Sequence, residues 1–122
     1  MAQYKAIYIE RNYTFKTGDD VEMSFVVYDA NGALVSSFTN TKIKAYIYGG
    51  GADTELANTA AGGGDTQISI TGNIITIHIP HADTVDYSYD TDITVELQIE
   101  IGTKIYTVYS DLLWFEEELL DF

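Results

Sequence analysis

The sequence has no cysteine, one proline and few cationic residues, and each shortage excludes a class of protein. Without cysteine the chain has no disulfide, no Cys-ligated zinc and no thiol nucleophile. Six Lys and Arg against 19 Asp and Glu give a formal charge of −13, which argues against nucleic acids and anionic membranes as partners. No apolar run is long enough to span a membrane, and no basic leader precedes an apolar run at the N-terminus. We therefore expect neither a membrane segment nor a signal peptide.

The abundant residues favour β-structure. Ile, Val and Thr together make up 35 of the 122 residues, and their branched Cβ atoms suit a pleated backbone. The sequence contains no convincing long helix, and no linker or internal repeat divides it. We therefore expect a single domain over residues 1–122, with a sandwich over residues 1–110 and a terminal strand or tail over residues 111–122.

Alternation of apolar and polar residues predicts the strands. It is clearest over residues 87–101, where Tyr, Thr, Ile, Val or Leu fills every odd position. These residues would span about 50 Å as one strand, so we expect a bend near residues 90–92 and a regular strand over 93–101. Further strands are predicted at residues 4–9, 21–27, 43–47, 68–70, 75–79 and 104–110, with turns at Asn31-Gly32, Gly72-Asn73 and Gly102-Thr103. This set predicts an all-β antiparallel sandwich of about seven or eight strands.

Residues 49–65 are predicted to form a long irregular loop, because they hold six of the ten glycines. A phosphate-binding loop would need a lysine after its last glycine, whereas Asp65 follows Gly64 here. We interpret the segment as a Gly-rich inter-strand loop that contacts a partner.

Candidate ligands for metals and candidate catalytic acids are present, but their spacing favours ordinary surface roles. His78 and His81 are the only histidines, and Pro80 separates them. The calcium candidates lack the spacing of a twelve-residue calcium loop; they are Asp19-Asp20, Asp29 with Asn31, and Asp83 with Asp86. The acids at positions 90, 92, 96 and 100 line one strand face rather than a cleft. We therefore expect no cofactor, no resident metal and no enzymatic activity.

Ten tyrosines supply one set of candidate binding residues. Tyr46 and Tyr48 lie on the polar face of their predicted strand. Together with Tyr106 they are candidates for stacking on sugars or for anchoring a protein interface. The alternative is that these rings form cross-strand packing pairs.

The C-terminal residues 111–122, DLLWFEEELLDF, supply the second set. Leu112, Phe115, Leu119 and Phe122 recur at helical spacing, and acids fill much of the other face. This pattern predicts an acidic amphipathic tail that docks on a neighbour; in the alternative, residues 112–115 complete the last strand. The candidate partner-binding residues are Leu112, Trp114, Phe115, Leu119, Leu120 and Phe122.

Two stretches resemble known modules. Residues 83–89, DTVDYSY, resemble the D-x-x-x-Y-x-C stretch of immunoglobulin domains, which implies a hydrogen bond from the Tyr87 hydroxyl to the backbone. Residues 17–32, TGDDVEMSFVVYDANG, followed by TKIKAYI at 41–47, resemble the N-terminal domain of the baseplate upper proteins of tailed bacteriophages. The likeness covers most of residues 14–115. It implies an immunoglobulin-like sandwich that serves as an assembly adaptor and has no catalytic residues.

These features together predict a non-enzymatic bacteriophage virion protein, either a head decoration protein or a tail or baseplate adaptor. We expect it to be made in the host cytoplasm and to contact other virion proteins, with a homo-oligomer left open. A carbohydrate-binding module that uses exposed tyrosines is the alternative. A third hypothesis is an acidic mimic that binds a basic host protein.

Overall fold

The computed structural model describes residues 4–38, 41–58 and 67–117. Within these ranges the chain forms nine strands and one short helix. They are β1 (Lys5–Tyr8), β2 (Thr14–Lys16), β3 (Val21–Tyr28), β4 (Thr41–Gly49), β5 (Ala52–Asn58), β6 (Ile68–Thr71), β7 (Ile74–Ile79), α1 (His81–Thr84), β8 (Thr91–Ile101) and β9 (Lys104–Glu116). None of the helical structure in the described residues is long and apolar enough to cross a membrane.

The strands form two sheets, so the described chain is all-β with the layered arrangement of a β-sandwich. One sheet has four strands in the order β1-β3-β7-β6, and the other has five in the order β2-β9-β8-β4-β5. Every pairing is antiparallel except that of β2 with β9, which is parallel. The predicted sandwich class is therefore confirmed.

The core consists of the inward-facing alternate residues of both sheets. In the four-stranded sheet β3 contributes Val21, Met23, Phe25 and Val27, and β7 contributes Ile75, Ile77 and Ile79. In the five-stranded sheet β4 contributes Ile43, Ala45 and Ile47, and β8 contributes Ile93, Val95, Leu97 and Ile99. All of these side chains are essentially inaccessible to solvent. Each fully buried aliphatic or aromatic side chain contributes about 1.5–3 kcal/mol, so this core is the main source of stability.

The predicted turns and the bend are confirmed. Gly32, Gly72 and Gly102 have positive φ angles of 80°, 63° and 63°, which glycine adopts at little cost. The bend before β8 occurs at Asp90, whose φ of 57° is left-handed. β7 ends at Ile79, directly before Pro80, which cannot donate a ladder hydrogen bond.

The prediction of an irregular loop over residues 49–65 is wrong for residues 52–58. These residues form β5, which pairs with β4 from Gly49↔Ala52 to Ile43↔Asn58 and makes one edge of the five-stranded sheet. Gly49, Gly50 and Gly51 make the hairpin possible because all three have positive φ angles, of 88°, 50° and 77°. Residues 59–66, which include the second glycine cluster, lie outside the described residues.

The predicted helical tail is also wrong as far as the structure describes it. β9 continues to Glu116, so the alternative in which residues 112–115 complete the last strand is the correct one. The backbone there is held on both sides, since Trp114 pairs with Asp92 of β8 and with Thr14 of β2. Leu119, Leu120 and Phe122 lie outside the described residues.

The Tyr87 side chain is buried, and its hydroxyl lacks the backbone partner that the resemblance implies. It lies 2.6 Å from the Thr54 hydroxyl of β5 rather than bonding to backbone. Burial raises the pKa of Tyr87 to about 12. The Tyr87 ring packs edge-on against Phe115, with ring centroids 5.3 Å apart. This residue therefore ties the edge strand β5 to the core.

The N-terminal segment crosses from one sheet to the other. β1 belongs to the four-stranded sheet and β2 to the five-stranded sheet. The crossing includes Arg11, whose φ is 57°, and the Tyr8 hydroxyl donates a 2.7 Å hydrogen bond to the Asn12 carbonyl there. Tyr8 also packs edge-on against Tyr13, with ring centroids 5.4 Å apart. These contacts hold the first strands to both layers.

We predict that Gly50→Ala destabilises the fold more than Gly72→Ala does. Both glycines have positive φ, which costs a non-glycine residue about 1–2 kcal/mol. A Cβ at Gly50 would also lie 2.6 Å from Thr91 Cγ2 and 3.1 Å from Ile93 Cγ1, whereas nothing lies within 4 Å at Gly72. Overpacking adds about 1–3 kcal/mol. Urea unfolding of both variants measures the difference, and equal losses would contradict the tight packing of this hairpin.

Candidate functional site

The outer face of the five-stranded sheet carries most of the predicted binding residues that the structure describes. Odd-numbered residues of β4 and β8 point into the core, so their even-numbered residues point outward. In β4 these include Tyr46 and Tyr48, and in β8 they include Asp92, Thr94 and Glu96.

A β-bulge decides which side of β9 faces outward. The register with β8 shifts between Leu97 and Gln98, because Leu97 pairs with Tyr109 whereas Gln98 pairs with Thr107. Val108 is the extra residue, and its side chain is buried. After the bulge the even-numbered residues face outward, which exposes Leu112 and Trp114.

The register places four large side chains on this face, along a diagonal from β4 to β9. Trp114 lies directly opposite Asp92, while Leu112 lies opposite Thr94, which in turn lies opposite Tyr48. Tyr46 is two residues from Tyr48 on the same strand. We call Tyr46, Tyr48, Leu112 and Trp114 the aromatic patch. Tyr48, Leu112 and Trp114 are 44%, 48% and 39% exposed, which is unusual for side chains of this size on one face.

Tyr48 is held in place by a hydrogen bond that its hydroxyl donates to the Glu96 carboxylate. This bond is the main reason that the pKa of Tyr48 is raised, with smaller contributions from desolvation and from the Glu96 charge. The bond crosses from β4 to β8, where Glu96 lies opposite Tyr46. It therefore fixes a phenol and a carboxylate side by side at the centre of the patch.

The charges of this face are separated along the strands. At one end Lys42 pairs with Glu100 at 3.4 Å, and Lys44 pairs with Glu55 at 3.7 Å. All six Lys and Arg residues of the chain lie among the described residues, and none of them forms an ion pair with Asp53, Asp92 or Glu96. The end of the face that bears Tyr48 and Trp114 therefore keeps three carboxylates without a cationic partner.

Two of the predicted binding residues do not lie on this face. Phe115 is fully buried and packs against Phe15, with ring centroids 5.8 Å apart, so its predicted role in a partner contact is wrong. Tyr106 lies opposite Ile99 on the inner face, packs on the core and lies 4.9 Å from the ring of Tyr4. It does not join Tyr46 and Tyr48, because it precedes the bulge and so has the opposite parity to Leu112.

A shallow depression of about 230 Å³ lies at the lysine end of the face. Lys42, Lys44, Tyr46, Gln98 and Ile105 are among its lining residues. Its two lysines are already engaged with carboxylates, so this end offers less uncompensated charge than the end that bears Trp114.

Both histidines turn toward one loop, where they contact Asp20 and Gly18. His78 Nε2 lies 3.4 Å from Asp20 Oδ1, and His81 Nδ1 lies 2.5 Å from the Gly18 carbonyl. Asp20 also accepts a 2.8 Å hydrogen bond from the His81 backbone N–H, which is the main reason that the pKa of Asp20 is lowered. No group of three or more His, Asp or Glu among the described residues could hold a metal ion.

Part of this surface could have been found from the sequence. The segment ADTEL at 52–56 alternates between small or apolar residues and acids, which is a strand pattern that the flanking glycines obscured. Asp53 and Asp92 become relevant only through the pairing register, which places them opposite Tyr48 and Trp114. The bulge at Val108 has no sequence signal that we can identify.

We predict that cesium quenches the fluorescence of this protein more efficiently than iodide does. Trp114 is the only tryptophan, it is 39% exposed, and Asp92 lies directly opposite it. Carboxylates attract cations and repel anions, so the ratio of cesium to iodide quenching constants should exceed that of N-acetyl-tryptophanamide by about twofold or more. Asp92→Asn should lower the ratio. Glu22→Gln on the other sheet should leave it unchanged, and a ratio equal to that of the free indole would contradict this electrostatic description.

Comparison with known proteins identifies no relative of the chain. No protein-family model matches it, and no curated protein matches it. The surface is therefore interpreted from its own residues, and the chain is assigned to no family.

Proposed function

We propose that the protein is a non-enzymatic structural protein of a bacteriophage virion, a head decoration protein or a tail or baseplate adaptor, which acts through protein–protein contacts. The observation that carries this proposal is the aromatic patch. A flat sheet face with exposed Tyr, Leu and Trp side chains is typical of interface centres, where aromatic residues are enriched. Other virion proteins are the proposed partners, and a homo-oligomer is a further possible assembly.

The strand order supports an immunoglobulin-like version of the sandwich. In an immunoglobulin constant-type domain one sheet has the order ABED and the other contains C, F and G. The order β1-β3-β7-β6 corresponds to ABED, and β4, β8 and β9 correspond to C, F and G. The β5 edge beside β4 corresponds to the added strand of variable-type domains. The chain lacks the disulfide of antibody domains because it has no cysteine.

The virion context comes from the resemblance of residues 17–32 and 41–47 to baseplate upper proteins. In the structure these residues lie in β3, its following turn and β4. The turn is organised by Asp29, whose carboxylate accepts hydrogen bonds from the backbone N–H groups of Asn31 and Ala33. The D-x-x-G hairpin that carries the resemblance is thus a physically specified element, which supports the likeness.

The non-enzymatic part of the proposal rests on the shape of the acidic surface. Asp92, Glu96 and Glu100 lie along one strand face of β8, and of the three only Glu100 lines the depression at the lysine end. Glu96 and Glu100 are engaged with Tyr48 and Lys42. General acid–base catalysis needs carboxylates that converge on a substrate in an enclosed site, and this arrangement favours an interface instead.

We predict that Leu112→Ser combined with Trp114→Ala reduces incorporation of the protein into virions by about tenfold or more. Both side chains are exposed, so the fold should be retained, while loss of a central interface tryptophan costs about 2 kcal/mol or more of binding. Quantitative mass spectrometry of purified particles measures incorporation. Val85→Ser, at an exposed apolar residue outside the patch, is the control.

Unchanged incorporation of the double variant, with its circular dichroism intact, would overturn the role of the patch. Absence of the wild-type protein from purified particles would overturn the virion assignment. These two results are separable, because the first leaves the wild-type protein in the particle.

A carbohydrate-binding module is the second candidate, and one observation favours it. Tyr46 and Tyr48 lie beside each other on a flat outer face, with Glu55 and Asp53 directly opposite them on β5. Aromatic rings next to carboxylates can stack on sugars and accept hydrogen bonds from hydroxyl groups. This function predicts glycan-array binding that Tyr48→Ala weakens. A silent array would remove the glycan candidate and leave the protein interface.

A further inference from the structure

We infer that the aromatic patch binds an arginine-bearing segment of its protein partner. This inference rests on the proposed function of the patch as a protein interface and names the chemistry of the partner. It follows from how aromatic rings and carboxylates alternate across the sheet, and from the lack, among the described residues, of an ion pair between these carboxylates and a lysine or arginine.

Each aromatic ring of the patch has a carboxylate as its cross-strand neighbour. Trp114 lies opposite Asp92, Tyr48 lies opposite Asp53, and Tyr46 lies opposite Glu96. Directly opposed residues on antiparallel strands have Cβ atoms about 4.5–5.5 Å apart, so ring and carboxylate are within reach of one ligand group. A guanidinium fits both, since its plane stacks on an aromatic face while its N–H groups donate to a carboxylate.

Among the described residues, no lysine or arginine forms an ion pair with the carboxylates at this end. Lys42 and Lys44 are paired with Glu100 and Glu55 at the other end of the face. Lys16 of β2 lies opposite Glu116, and Lys104 begins β9; neither forms an ion pair with Asp53, Asp92 or Glu96. Asp53 and Asp92 therefore remain available to a basic partner, and the Glu96 carboxylate, which already accepts the Tyr48 hydrogen bond, has no cationic partner either. A chain of formal charge −13 steers a basic partner toward itself.

Other occupants fit the patch less well. A metal ion would need converging ligands, and no such group of three exists among the described residues. A second copy of the chain, docked with these carboxylates at the two-fold axis, would bring like charges together, which repel. Lysine offers a point charge, whereas the planar guanidinium matches a ring and a carboxylate together. Arginine is therefore the side chain that can contact the aromatic ring and the carboxylate of each pair at the same time.

The test uses three short peptides and the intact protein. The probe is a glycine-spaced peptide with two arginines, N-acetylated and amidated, and its matched controls replace arginine with lysine or with uncharged citrulline. Trp114 fluorescence reports binding at the patch, because it is the only tryptophan. Amide chemical shifts locate the contact on β4, β8 and β9.

We expect saturable binding of the arginine peptide, with shifts confined to the outer face of the five-stranded sheet. The lysine peptide should bind about two- to fivefold more weakly, and the citrulline peptide should not bind measurably. Raising the salt from about 0.1 M to about 1 M, which shortens the Debye length from about 10 Å to about 3 Å, should weaken binding strongly.

Matched variants test whether binding of the arginine peptide depends on the pairs of aromatic ring and carboxylate. Asp92→Asn, followed by Trp114 fluorescence, should weaken arginine-peptide binding by about two- to fivefold, the range for an exposed cation–π contact. Trp114→Leu, followed by amide chemical shifts because it removes the only tryptophan, should weaken binding by about the same factor. Glu22→Gln removes the same charge from the outer face of the other sheet and should have no effect. Equal effects of Asp92→Asn and Glu22→Gln would mean that only net charge matters, and this result would overturn the inference.

The failure of this inference can be told from failure of the proposed function. If the arginine, lysine and citrulline peptides behave alike while Leu112→Ser with Trp114→Ala still blocks incorporation, the interface stands and the arginine partner is wrong. If incorporation is unaffected and the arginine peptide also fails to bind, both are wrong. If Tyr48→Ala abolishes glycan binding and the wild-type protein does not bind the arginine peptide, the inference of an arginine-bearing partner is wrong.

Discussion

The side-chain parity of β9 is the constraint on which the whole surface depends. A strand exposes alternate residues, so a shift of one position exchanges its inner and outer faces. The bulge at Val108 makes this shift once, opposite the middle of β8. Before it Tyr106 faces the core, and after it Leu113 and Phe115 do so while Leu112 and Trp114 face solvent. Without the bulge, the strand that buries Tyr106 could not also expose Trp114.

The sequence predicts the central strands well because burial there is one-sided and continuous. In β8 the residues at 93, 95, 97 and 99 all face the core and their even neighbours all face solvent. The period of two is therefore complete over the length of the strand. The turns at Gly32, Gly72 and Gly102 were predictable for a different reason, since each needs a positive φ that glycine adopts freely.

The sequence predicts the edge and the end of the larger sheet poorly, and the physical reasons differ. In β5 the inward residues include Ala52 and Thr54, whose small side chains make the alternation weak. At the end of β9, Leu112 and Phe115 are three residues apart. Residues with this spacing lie on the same side of a helix but on opposite faces of a strand. Backbone pairing with both β8 and β2 decides in favour of the strand, and such long-range pairing leaves no local signal. The sequence therefore predicts the apolar and aromatic residues of the candidate surface. It does not predict the carboxylates opposite Tyr48 and Trp114, because these depend on the pairing register of the strands.

The short parallel pairing of β2 with β9 has a mechanical consequence. Thr14, Phe15 and Lys16 run beside Trp114, Phe115 and Glu116 in the same direction. A load that draws the start of β2 and the end of β9 apart therefore acts along both strands. The hydrogen bonds between them run across the strands, slanted as in other parallel pairs, so a load along the strands acts on all of them at once in shear. The same three residues of β9, which include the exposed Trp114, thus join β2 and β9 so that tension between these two strands is borne by the whole pairing at once.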